Sequence, residues 1–190
     1  MRRRLVALCL LAALVGVACG TTPTPSPSPA PTSPSPPPQP TPPGGCPVPT
    51  QTGSLPSNRV VDLEVVGVGG VDRMTFTFEP AADAPGGPAR GTLRETVPPF
   101  HQGGSGELVE VDGERFIEIR FEGMTIADED GNAVYRGPRE LQPGGAVIRE
   151  IAVVDAFEGV MAWIVGFDGP GCVVLGGDRE AGIVTVDLQP

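Results

Sequence analysis

Met74-Thr75-Phe76-Thr77-Phe78-Glu79 and Arg115-Phe116-Ile117-Glu118-Ile119-Arg120-Phe121-Glu122 decide the fold. Successive side chains of a β-strand point to opposite faces, so the first stretch sets Phe76 and Phe78 on one face and Thr75 and Thr77 on the other. The second sets Ile117, Ile119 and Phe121 against Glu118 and Arg120. This is the patterning of a sheet with one wet face. Working outward, the same reading predicts strands at 59–68, 74–79, 91–96, 107–111, 115–122, 146–154, 160–167, 172–175 and 183–188. Gly, Pro, Asp and Asn separate these runs, and no stretch offers a long helical period free of glycine or proline. The expectation is an all-β domain of seven to nine strands, a β-sandwich of two antiparallel sheets stacked on their apolar faces. Gly69-Gly70, Asp112-Gly113 and Gly169-Pro170-Gly171 read as connecting turns. Pattern alone leaves barrel closure open.

The domain is expected to run from 46 to 190, enough chain for one core. Two different segments precede it. Arg2, Arg3 and Arg4 form a basic cap, followed by an apolar run, 5–18, that is shorter than the roughly 20 residues needed to cross a bilayer core. Residues 1–18 therefore read as a signal peptide. Small residues lead into Cys19, and Leu14-Val15-Gly16-Val17-Ala18-Cys19-Gly20 resembles a lipobox, with Gly16 standing where a larger aliphatic residue is usual. That resemblance implies a diacylglyceryl group on Cys19, and more than one acyl chain makes a stable membrane anchor. From Thr21 to Pro43 proline alternates with Thr, Ser, Ala and Gln, so residues 19–45 read as a disordered, polyproline-type linker. At about 3.1 Å per residue it could extend roughly 70 Å as a spacer.

The four cysteines sort by position. Cys9 leaves with the signal peptide and Cys19 is consumed by lipidation, so Cys46 and Cys172 remain for the exported domain. In an oxidising compartment, with too few Cys and His for a metal site, they are expected to form a disulfide. Closing a loop of over a hundred residues would contribute about 4 to 5 kcal/mol by the chain-entropy argument.

All thirteen basic residues are arginine, and three of them lie in the signal segment, leaving ten cations against twenty-three acids. A net charge of −13 repels phosphate backbones and anionic lipid heads, which argues against nucleic acid as a partner. Catalytic machinery is sparse. His101 stands in a turn-like stretch with Ser105 nearby, without the strained elbow that positions a nucleophile. Asp128-Glu129-Asp130-Gly131-Asn132 has the composition of a calcium loop, but the glycine falls too early and a hairpin turn is favoured. Trp163 and Tyr135 could stack on a sugar, although Trp163 lies in an apolar strand and reads as core. No catalytic residue, metal site or cofactor is expected, and the domain is not expected to be an enzyme.

Val68-Gly69-Gly70-Val71-Asp72-Arg73-Met74-Thr75-Phe76-Thr77-Phe78-Glu79, Tyr135-Arg136-Gly137-Pro138, Phe157-Glu158-Gly159-Val160-Met161-Ala162-Trp163-Ile164-Val165-Gly166-Phe167 and Val184-Thr185-Val186-Asp187-Leu188 together resemble the AMIN-like domain. That family occurs largely in actinobacterial exported proteins and lipoproteins. Members often show an aromatic or basic run before a final Pro-Pro-Arg-Leu strand, where this chain has Gly171-Cys172-Val173-Val174-Leu175 and Glu180-Ala181-Gly182-Ile183. The resemblance implies a β-sandwich and binding of peptidoglycan or another envelope component. It supplies no catalytic residues. The alternative is an accessory, protein-interaction subunit of an envelope complex. Either role would be exercised at the cell membrane, lipid-anchored, facing the extracytoplasmic side. Asp72 and Arg73 read as an ion pair fixing a turn.

Overall fold

The computed structural model describes residues 45–80 and 89–190, which form twelve strands and no helix. The segment read as a signal peptide, Cys19 and nearly all of the segment read as a linker fall outside the described residues.

Six strands make one sheet, in the order β1 (Gln51–Ser54), β4 (Arg90–Thr96), β7 (Arg115–Glu122), β10 (Val160–Phe167), β9 (Ile148–Phe157), β8 (Glu140–Leu141). Four make the other, in the order β11 (Cys172–Gly176), β12 (Ile183–Gln189), β3 (Val71–Phe78), β2 (Val60–Val68). Every pairing is antiparallel. Two separate sheets with free edges make a sandwich and not a barrel. Turn chemistry closes the hairpins. Gly69 and Gly70 have φ of 61° and 86°, the two left-handed positions of a tight turn whose twist matches the β2–β3 hairpin.

The inner faces are those the alternation predicts. Phe76, Phe78, Ile117, Ile119 and Phe121 are all buried in the main core. At its centre lies Trp163, fully buried, with Phe76, Phe121 and Tyr135 edge-on to it at 5.0, 5.2 and 5.6 Å. Such edge-to-face pairs add about 0.5–1.5 kcal/mol each beyond burial. Trp163 and Tyr135 are therefore core residues, and neither ring is offered to a ligand.

Two expectations need correction. The strands number twelve, not seven to nine, because Gln51–Ser54, Phe100–His101 (β5) and Glu140–Leu141 carry no apolar alternation and are strands through their partners alone. The outer face of the larger sheet is also not uniformly wet. The β4–β7 connection, with the two-residue strands β5 and β6 (Leu108–Val109), folds back over it. Phe100, Val109 and Val111 there pack on Val154, Ala162, Ile164 and Phe116 as a second small core. Residues 161–167 of β10 are consequently buried at every position, on both faces.

Candidate functional site

Cys46 and Cys172 are disulfide-bonded, with Cα atoms 4.9 Å apart across 126 residues of chain. The bond joins the segment leading into β1, at the edge of one sheet, to the start of β11, at the edge of the other. Arg115 secures the knot from within. Its buried guanidinium donates to the carbonyls of Pro170 and Cys46, the latter at 3.0 Å, pairs with Glu95 at 2.8 Å and lies 5.1 Å over the Phe167 ring.

From that knot β1 and β11 run along the same open side of the sandwich, and between them lies a cleft of about 220 Å³. Its floor is apolar, with Leu93 and Ile119 from one sheet and Val184 and Val186 from the other. Gln51, Thr52, Ser54 and Arg179 supply polar groups at the lining. Gly91 keeps the space open, since a Cβ there would meet Leu55 Cδ2 at 2.9 Å. Opposite the disulfide, Arg179 reaches across from the β11–β12 connection and donates to the Leu55 carbonyl at 3.3 Å. That hydrogen bond closes the cleft at the end where β11 turns toward β12.

The charged outer face of the larger sheet is a weaker candidate, because its charges satisfy one another. Arg94 and Glu118 pair at 2.5 Å, and Arg120 meets Glu122 at 3.1 Å and Asp155 at 3.6 Å. His101 Nδ1 lies 3.2 Å from the Gly106 carbonyl, and Ser105 Oγ accepts from Glu107 N–H at 3.2 Å. Each is tied to its own loop, so the structure does not bring the two together as a nucleophile and base. The acidic stretch 128–132 is the hairpin turn favoured from sequence. Asp128 Oδ1 accepts from the backbone N–H of Asn132 and Asp130, Gly131 has φ of 83°, and Ala127 bridges Ala133. Those bonds, chiefly from Asn132, hold the Asp128 carboxyl below its ordinary pKa. Among the described residues no group of three or more His, Cys, Asp and Glu is placed to hold a metal.

Asp72 and Arg73 correct the expected ion pair, because neighbouring residues of a strand point to opposite faces. Arg73 lies outside and forms a two-pronged pair with Asp187 of β12, at 2.7 and 2.6 Å. Hydrogen bonding to Arg73 holds the Asp187 carboxyl below its usual range, and Arg73 is raised in turn. Asp72 points inward, is 1% exposed, and accepts from the backbone N–H groups of Ala146, Val147 and Ile148 at 3.0, 2.7 and 2.8 Å. It fastens the start of β9 in one sheet to β3 in the other. Gly145 permits this, since any Cβ there would collide with the Asp72 carboxylate.

Sequence reasoning missed the cleft, Arg179 and the inward role of Asp72. Gly176-Gly177-Asp178-Arg179 reads as an ordinary turn, and nothing in it signals which strand edge it overhangs.

No curated protein and no solved structure matches the chain. The family model of the AMIN-like domain matches residues 59–174, from the start of β2 through most of β11. With the match spanning more than half of the chain and the sandwich formed as that resemblance implied, the protein belongs to the AMIN-like domain family.

Proposed function

We propose that this is a non-catalytic, extracytoplasmic lipoprotein, anchored through Cys19 and a proline-rich stalk, whose sandwich binds peptidoglycan or another wall component. The observation that carries the binding reading is the cleft between β1 and β11, an apolar floor with hydrogen-bonding groups at its rim on an open edge of the sandwich. Membership of the AMIN-like family supports it. The lipobox-like residues before Cys19 and the basic and apolar leader support the anchor. The test is co-sedimentation of the full chain, in detergent micelles, with purified peptidoglycan at several salt concentrations, with a reduced sample alongside. Saturable pelleting is expected; no retention by walls of differing composition would refute the reading.

A second reading, an accessory subunit of an envelope complex, draws on one observation. The edge strand β11 exposes Val174 and Leu175 and carries no charged residue or proline along Cys172–Gly176. It predicts crosslinked protein partners on intact cells with no retention by purified wall.

A further inference from the structure

Resting on the wall-binding reading, we propose that the cleft takes the peptide and not the glycan of the wall. The ligand class is a short peptide acid, with its terminal carboxylate on Arg179 and a small aliphatic side chain on the floor of Leu93, Ile119 and Val186.

Charge is the first argument. Arg59, Arg73, Arg94, Arg115, Arg120 and Arg149 each face a protein carboxylate, whereas Arg179 has a single hydrogen bond, to the Leu55 carbonyl. It is also the one charged side chain among the residues lining the cleft. A guanidinium carries five N–H donors in a planar fork that matches a carboxylate, so most of its capacity faces the cleft mouth unused. In a chain of net charge −10, a cation left unpaired beside an apolar cleft suits an anion with an apolar body.

Shape is the second. At about 220 Å³ the space is smaller than the roughly 300–1,000 Å³ of pockets for drug-sized ligands, and suits about two small residues. The Arg179–Leu55 contact crosses one end of it, so it fits a chain terminus better than a polymer passing through. A sugar carries a hydroxyl on most carbons, and the apolar floor would leave those hydroxyls without partners. An extended peptide fares differently, because the free edges of β1 and β11 offer backbone N–H and C=O groups to its main chain.

The experiment titrates the full chain in detergent micelles with N-acetyl-D-alanyl-D-alanine, its C-terminal amide, its L,L form and peptide-stripped wall glycan, followed by calorimetry. The D,D acid is expected to bind saturably, with the amide about ten- to a hundredfold weaker, the loss expected on removing a charge-assisted contact. Arg179→Gln should lower affinity for the acid by the same factor and leave the amide unchanged. Arg179 is exposed, so the fold should persist, and an unchanged melting temperature verifies this. Leu175→Asp, at the cleft mouth, should abolish binding of the acid. Equal binding of acid and amide, indifference to Arg179→Gln, or no binding of the acid overturns the proposal. Preference for the L,L acid overturns the wall as source and points to protein C-termini. If intact wall pellets the chain while glycan binds and the acid does not, this proposal fails and the wall-binding reading stands. If the acid binds through Arg179 but wall does not pellet the chain, the peptide-acid site stands and the wall reading fails.

Discussion

Replacing Asp72 with asparagine should cost about 3 kcal/mol of stability, although no charged partner is lost. The carboxylate accepts three backbone N–H bonds, from Ala146, Val147 and Ile148. Hydrogen bonds to a charged group contribute about 1.5–3 kcal/mol each, and a buried donor left unpaired costs about 1–3 kcal/mol. Asparagine keeps one acceptor oxygen but turns an amide N–H₂ toward the backbone donors. With its oxygen at the Oδ2 position asparagine keeps the bonds from Val147 and Ile148, and the Ala146 N–H, set against the amide N–H₂, goes unsatisfied. Relief from burying a charge offsets part of the loss. In a domain of this size about 3 kcal/mol lowers Tm by roughly 6–12 °C. Urea denaturation with the disulfide intact measures it, with Arg73→Gln as the control. That substitution removes only the outer pair with Asp187, which water and salt screen at the surface. If Asp72→Asn costs no more than Arg73→Gln, Asp72 is not the clamp between the sheets.

Other consequences can be measured separately. Cys46→Ser with Cys172→Ser frees a loop of 126 residues and should lower stability by about 5 kcal/mol by the chain-entropy relation, read from the same denaturation curves. Tyr135, the single tyrosine, has its phenol pushed up to about 12, chiefly by burial, so the folded state holds that proton where the unfolded state releases it. The stability involved is complete below about pH 10 and is lost as pH rises toward 12. Phenolate absorbance should show one transition coupled to unfolding, and Tyr135→Phe should flatten the alkaline limb of stability. Asp187 and Asp128 are held below their ordinary values, so their contribution is present above the unfolded carboxyl range and is lost as pH falls through the folded one. Asp187→Asn should reduce the acid slope in urea titrations at stepped pH; an unchanged slope would show that the Arg73 pair does not persist in solution. Trp163→Ala, at the centre of the core, should cost about 3–5 kcal/mol, seen as a fall in the urea midpoint.

How much was legible in the sequence follows from what each residue had to encode. Phe76, Phe78, Ile117, Ile119 and Phe121 announce their face through a period of two, because a sheet with one core side enforces it. Strands β1, β5 and β8 were silent, because a segment such as Gln51–Ser54 becomes a strand through the backbone of β4 and not through its own side chains. The apolar run of β10 did carry information: a strand covered on both faces has no polar positions to alternate, and the β4–β7 connection supplies the second cover. The cleft was illegible for a different reason. It exists because β1 and β11 are both edges, and edge status is a property of strand order, which local sequence does not state. Asp72 was readable as important and misread in direction, since adjacency in sequence to Arg73 means opposite faces in a strand.

The Cys46–Cys172 bond also sets how the domain bears tension. A pull arriving from the N-terminal side meets Cys46 before it meets β1, whose four residues would otherwise unzip from β4 one pair at a time. The sulfur bridge diverts part of that load into β11 and through it to β12, while Arg115 holds the Cys46 and Pro170 carbonyls together behind the junction. Force is therefore divided between both sheets at the point of entry, and the first strand is relieved of acting as the fuse.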